Sequence, residues 1–138
     1  MGVNFSVPFL LLASIVAAAV LIYLPYGVVA YARWQVGMDF SAPRALFDKL
    51  PDYGKRATWA HQNSFETFML YAAAALMAYV TGVESSLAGG AAIAFVIGRL
   101  LFSVFYILNF PPGRSLMFGV GSAATFILFG LSLSQISP

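Results

Sequence analysis

The chain contains no cysteine, so it forms no disulfide, supplies no thiolate to a metal and has no cysteine nucleophile of its own. Any sulfur chemistry must enter with an external thiol. Charge is also scarce. Only 9% of the 138 residues are charged while 61% are hydrophobic, too little polar material to clothe a water-soluble surface. The single histidine, His61, has no helical metal partner, no strand precedes a glycine-rich phosphate loop, and no nucleophile–base constellation appears. No metal site is expected. A net charge of +2 is too small to suggest nucleic acid, and the basic residues border apolar segments, where lipid headgroups or a small anionic ligand are better partners.

Long apolar runs are what the sequence has in their place. About 20 residues at ~1.5 Å each cross the roughly 30 Å of membrane hydrocarbon. Four segments meet that length, at about residues 8–32, 58–81, 87–109 and 115–134. The fold expected is an all-α integral membrane protein, a four-helix transmembrane bundle forming one domain over residues 1–138. No Lys or Arg precedes the first run, which also outlasts a signal-peptide core, so it is expected to remain as a helix. Small-residue stretches such as Ala72 to Ala75 and Ala88 to Ala92 permit close helix approach. Pro25 is expected to kink the first span, and Pro111 and Pro112 to occupy the turn between the third and fourth.

Four spans put the connections 33–57 and 110–114 on one side, and both termini with the Glu84 connection on the other. Six of the seven basic residues (Arg33, Arg44, Lys49, Lys55, Arg56 and Arg114) lie on the first side. The positive-inside rule places that side in the cytoplasm and the termini outside. The seventh, Arg99, falls within the third span, where an unpaired charge costs at least ~2.5 kcal/mol.

Arg56, Asn63 and Glu66 recur at helical spacing, with Trp59 between them, and Arg99 and Tyr106 share a face of the third span. Glu66 and Arg99 sit at similar depths, roughly 12 and 15 Å inside, so an ion pair between them is geometrically possible. Such a pair serves equally well to fix bundle register. The surplus of cations near it, Arg33, Arg56 and Arg114, suits an anionic ligand, although each also suits snorkelling to headgroups. Arg44, Lys49 and Lys55 are expected to be topology determinants, and His61 a helix contact.

The segments KRATWAHQNSFE, Lys55 to Glu66, and GRLLFSVFYILNFPPGRS, Gly98 to Ser115, resemble the MAPEG family, the membrane-associated proteins in eicosanoid and glutathione metabolism. The resemblance implies a homotrimer of four-helix protomers with glutathione, as cosubstrate, bound between neighbours near the cytoplasmic side. By that analogy Arg56, Asn63, Glu66, Arg99 and Tyr106 match glutathione contacts, and Arg33 resembles a further arginine near the thiol. Arg114 matches the catalytic arginine that holds the thiolate. The implied activity is that of a transferase or peroxidase acting on lipophilic small molecules. Non-catalytic lipid-binding or scaffold members share the fold, so that alternative stays open, as does a small transporter subunit. Trp59 and Gln62 replace basic residues of some mammalian members, Phe102 replaces a histidine, and Lys55 takes a common acidic position. These departures resemble general or bacterial-type members, for which an inner-membrane location is expected.

Overall fold

The computed structural model describes residues 5–138, which form four α-helices and one short 3-10 helix and contain no strand. The α-helices are α1 (Val7–Gln35), α2 (Asp52–Val80), α3 (Ser86–Ile107) and α4 (Pro111–Ile136), and the 3-10 helix, Pro43–Lys49, lies between α1 and α2. Ser6 caps α1 by accepting from the Phe9 N–H, with Pro8 in the first turn, where its missing donor costs nothing. α2 ends at Gly82, whose φ of 72° lets the Val83 N–H reach the Ala78 carbonyl at 2.9 Å. α3 ends the same way on Asn109, at φ 59°, with the Phe110 N–H donating to the Phe105 carbonyl at 2.8 Å. Pro111 and Pro112 therefore belong to the first turn of α4 rather than to the turn itself, a position that suits their fixed φ.

The helices α1, α3 and α4 are each long and apolar enough to cross a membrane. The α2 helix matches α1 at 29 residues but starts well before the expected span and so includes Asp52, Lys55 and Arg56. Large apolar side chains such as Val20, Ile97, Phe126 and Leu133 stand exposed on the outside, as a lipid solvent requires. Every helix pairs closely with α2 or α3, whereas α1 and α4 share no substantial contact and so flank the α2–α3 pair on opposite sides.

The core gathers toward the end that carries the termini. Ala74, Ala75 and Ala78 of α2 pack there on Ala88 and Ala92 of α3, together with Leu11 and Leu128. Alanine at these crossings brings backbones together, so dispersion and not hydrophobicity holds the bundle in lipid. At its centre Tyr71 stacks almost parallel on Phe95, ring centroids 3.5 Å apart, and its hydroxyl pairs with Ser14 of α1. The opposite end is held by a second close approach. A Cβ on Gly54 would lie 2.8 Å from the Ala32 Cβ, and neither helix backbone can yield. Gly54→Leu is therefore expected to destabilise the fold by about 1–3 kcal/mol, visible as a lower melting temperature in detergent, with Ala32→Gly restoring part of the loss.

Candidate functional site

Polar side chains collect at the end opposite the core, but in two places. The first is a groove of about 830 Å³ between α1, the 3-10 helix and α2, whose polar lining comprises Arg33, Arg44, Thr58, His61, Gln62 and Glu66. Arg33 reaches it from the last turn of α1, and its Nε is buried with no hydrogen-bond acceptor. His61 is tied to α1 through Nδ1, 2.8 Å from the Ile22 carbonyl, next to the carbonyl that Pro25 leaves without a helical donor. A carbonyl only accepts, so in this bond Nδ1 carries a proton and donates it. Tyr26 and Phe65 flank the ring at 5.2 and 5.3 Å. Replacing His61 with alanine is expected to cost about 1 kcal/mol through the lost bond, read as a small fall in melting temperature.

The second collection lies where α2, α3 and α4 meet. The Arg56 Nε–H donates to the Ile107 carbonyl at 3.0 Å, at the electronegative end of α3. The Arg114 guanidinium lies over the Tyr106 ring, 4.6 Å from its centroid, a cation–π contact. Deeper in, Arg99 Nη2 donates to Asn63 Oδ1 at 3.0 Å and to Ser64 Oγ at 3.3 Å, and its Nη1 is buried without an acceptor. Phe102 covers that guanidinium, its ring centroid 4.0 Å from Cζ.

The Glu66–Arg99 ion pair that similar depths allow is not formed; among the described residues Arg99 is held by the neutral oxygens of Asn63 and Ser64. The reason is angular. At about 100° per residue, Glu66 is displaced by roughly 60° from Asn63 around α2, enough to turn it into the groove with Arg33. The predicted residues are thus divided, Arg33 and Glu66 on the α1 side and Arg56, Asn63, Arg99, Tyr106 and Arg114 on the α4 side. Sequence reasoning passed over Ser64 under Arg99; His61, expected to be a helix contact, does hold α1, and both it and Arg44, expected to be a topology determinant, also line the groove. The spacing from Thr58 to Gln62 and Phe65 carried the signal for that face of α2, but its members are mostly uncharged. No group of three or more His, Cys, Asp or Glu side chains is placed to hold a metal ion among the described residues.

Three apolar spans, a lipid-suited exterior and cations gathered at one end define an all-helical integral membrane protein with a cationic site. The family can be stated as well: the MAPEG model matches residues 10–134, nearly the whole chain, and the protein belongs to the MAPEG family. No curated protein and no solved structure matches the chain.

Proposed function

We propose that the protein is a glutathione-binding membrane transferase or peroxidase that acts on lipophilic electrophiles, assembled as a homotrimer in which α2 is the fourth span. The reading rests above all on Arg33 lying on α1 and Arg114 on α4, two helices that share no substantial contact, with Arg33 lining the groove and Arg114 over Tyr106. Both are incomplete: Arg33 Nε has no acceptor, and among the described residues the Arg114 guanidinium meets the Tyr106 ring and no carboxylate. A closed ring of protomers joined head to tail sets each groove against its neighbour's α2–α4 cluster, giving a pocket with arginines on both walls. Glutathione's two carboxylates suit those arginines, and Glu66 suits its amino group. The polar end faces the cytoplasm and both termini the other side; the family variants favour a bacterial inner membrane.

The chemistry follows from charge. A free thiol titrates near ~8.5, and a cation beside the sulfur lowers that value toward neutrality. Arg114 performs this role without losing its own proton. The thiol proton passes to solvent. The thiolate then attacks an electrophilic carbon, forming the C–S bond as the leaving group departs with its electron pair. With a hydroperoxide, sulfur attacks the distal oxygen, and the alkoxide leaves and is protonated to the alcohol.

A non-catalytic lipid-binding or scaffold role is the second reading, favoured by the way Arg56 and half of Arg99 are already satisfied within the bundle. Titrating glutathione into purified protein while recording thiolate absorbance separates the two. Saturable thiolate formation at neutral pH is the expected result, and absence of binding would leave the scaffold reading. Sizing the same sample should give a trimer; a monomer would remove the shared pocket.

A further inference from the structure

The outer face of α1 is laid out for lipid. At about 100° per residue, Phe9, Val16, Val20, Tyr31 and Trp34 fall within roughly 60° of one another, and all are exposed, Trp34 at 78%. The buried Leu11, Ala18, Ile22, Val29 and Ala32 lie on the opposite side of the helix. The outer stripe is aromatic at both ends, where Phe5 stacks on Phe9 at 4.8 Å and where Tyr31 and Trp34 stand, with Val16 and Val20 between. Phe9 and Tyr31 are about 22 residues apart, roughly 33 Å along the helix, close to the thickness of membrane hydrocarbon. Arg33 lies about 100° around α1 from Trp34, so Trp34 is no part of the groove wall, and a neighbour seated on the groove leaves this stripe uncovered.

The chain that follows α1 doubles back along the bundle. Ala32 and Gly54 meet near the end of α1 and the start of α2, so the two helix ends are level. The connection between them is drawn back by the buried Leu46 of the 3-10 helix and by Phe47, whose ring centroid is 5.8 Å from that of Trp59. Trp59 is about seven residues, roughly 10 Å, inside the start of α2. The 3-10 helix therefore lies beside the bundle at headgroup depth and does not project into water. Phe40, just before it, is 88% exposed, more than any other large apolar side chain among the described residues.

We propose that the bilayer leaflet at the polar end is the partner of this segment, with Trp34 and Phe40 seated at the boundary between its headgroups and acyl chains. Indole suits that boundary because its ring is apolar and its N–H still finds water or a headgroup. Phe40 gains there the apolar burial that the protein itself does not give it. Arg44 and Phe47 belong to the same connection and line the groove, so the bilayer holds one wall of that groove, whatever the groove binds.

The full chain has two tryptophans, Trp34 and Trp59, so Trp59→Phe leaves Trp34 as the sole reporter. Adding Trp34→Phe and Phe40→Trp to that chain moves the reporter to position 40, and every exchange keeps an aromatic ring. Both proteins are placed in nanodiscs of phosphatidylcholine brominated either near the headgroup or near the chain end, and iodide serves as the aqueous quencher. Shallow bromine should roughly halve the emission of each reporter, deep bromine should quench it less, and iodide should have little effect, as a seat at the membrane boundary demands. Strong iodide quenching without bromine quenching would place the segment in water and overturn the proposal. Reporters that neither quencher reaches would be covered by protein, and a second copy would then replace lipid as the partner.

Discussion

Arg114→Ala is expected to bind glutathione yet fail to ionise it. The arginine rests on Tyr106 at 4.6 Å and, among the described residues, forms no side-chain hydrogen bond, so its removal forfeits only about 0.5–1 kcal/mol of cation–π attraction, and the bundle should stay folded. The effect on sulfur is larger. If the cation lowers the thiol pKa from ~8.5 toward 6.5, nearly three-quarters of bound glutathione is thiolate at pH 7, and roughly 3% without it. The sign is fixed: the thiolate fraction in the variant should recover as pH rises through ~8.5, in the direction a depressed thiol pKa demands. Turnover should fall by the same factor of ten or more at neutral pH. Arg114→Lys keeps the charge but loses the planar fork, and should restore part of the ionisation. Thiolate absorbance followed across pH in wild type and both variants provides the measurement.

The largest effect on stability should come from Tyr71→Ala. Tyr71 is fully buried, stacked on Phe95 at 3.5 Å and joined to Ser14, and it thereby ties α1, α2 and α3 at one point. Alanine leaves a cavity that the neighbouring alanines are too short to fill, and large-to-small changes of this kind cost about 3–5 kcal/mol. Lipid supplies no hydrophobic drive to close the gap, so lost dispersion contacts dominate. Tyr71→Phe keeps the stack and gives up only the hydroxyl bond to Ser14, a loss of about 1 kcal/mol. Thermal unfolding in detergent should therefore rank wild type, then Tyr71→Phe, then Tyr71→Ala well below.

That stack was not legible in the sequence. Tyr71 and Phe95 sit among apolar neighbours on different helices, and nothing in spacing alone says which aromatic faces inward. The helices themselves were legible, because lipid forces every backbone group into helical bonds and composition reveals where lipid lies. Even there α2 was the hardest to delimit: Arg56 and Lys55 extend it past its apolar stretch into the polar end. The candidate site was visible as a set of residues and not as an arrangement. Arg56, Asn63 and Glu66 share a stripe in a helical projection, but the stripe is wide enough for Asn63 to meet Arg99 while Glu66 meets the groove. Partners such as Ser64 and Phe102 carry no charge, so their role under and over Arg99 emerges only from the fold.

The central claim is that one protomer's Arg33 groove and another's Arg114 cluster complete a single glutathione site. Co-expression of Arg33→Ala and Arg114→Ala chains tests it most directly. Each variant alone lacks one wall in every site, and should form little thiolate. Random mixing in a closed head-to-tail ring pairs an intact groove with an intact cluster at about a quarter of the interfaces. Purified mixed oligomers should therefore recover thiolate absorbance to about a quarter of the wild-type signal. Wild type that forms the thiolate while the mixed oligomers recover none would contradict a site shared between protomers.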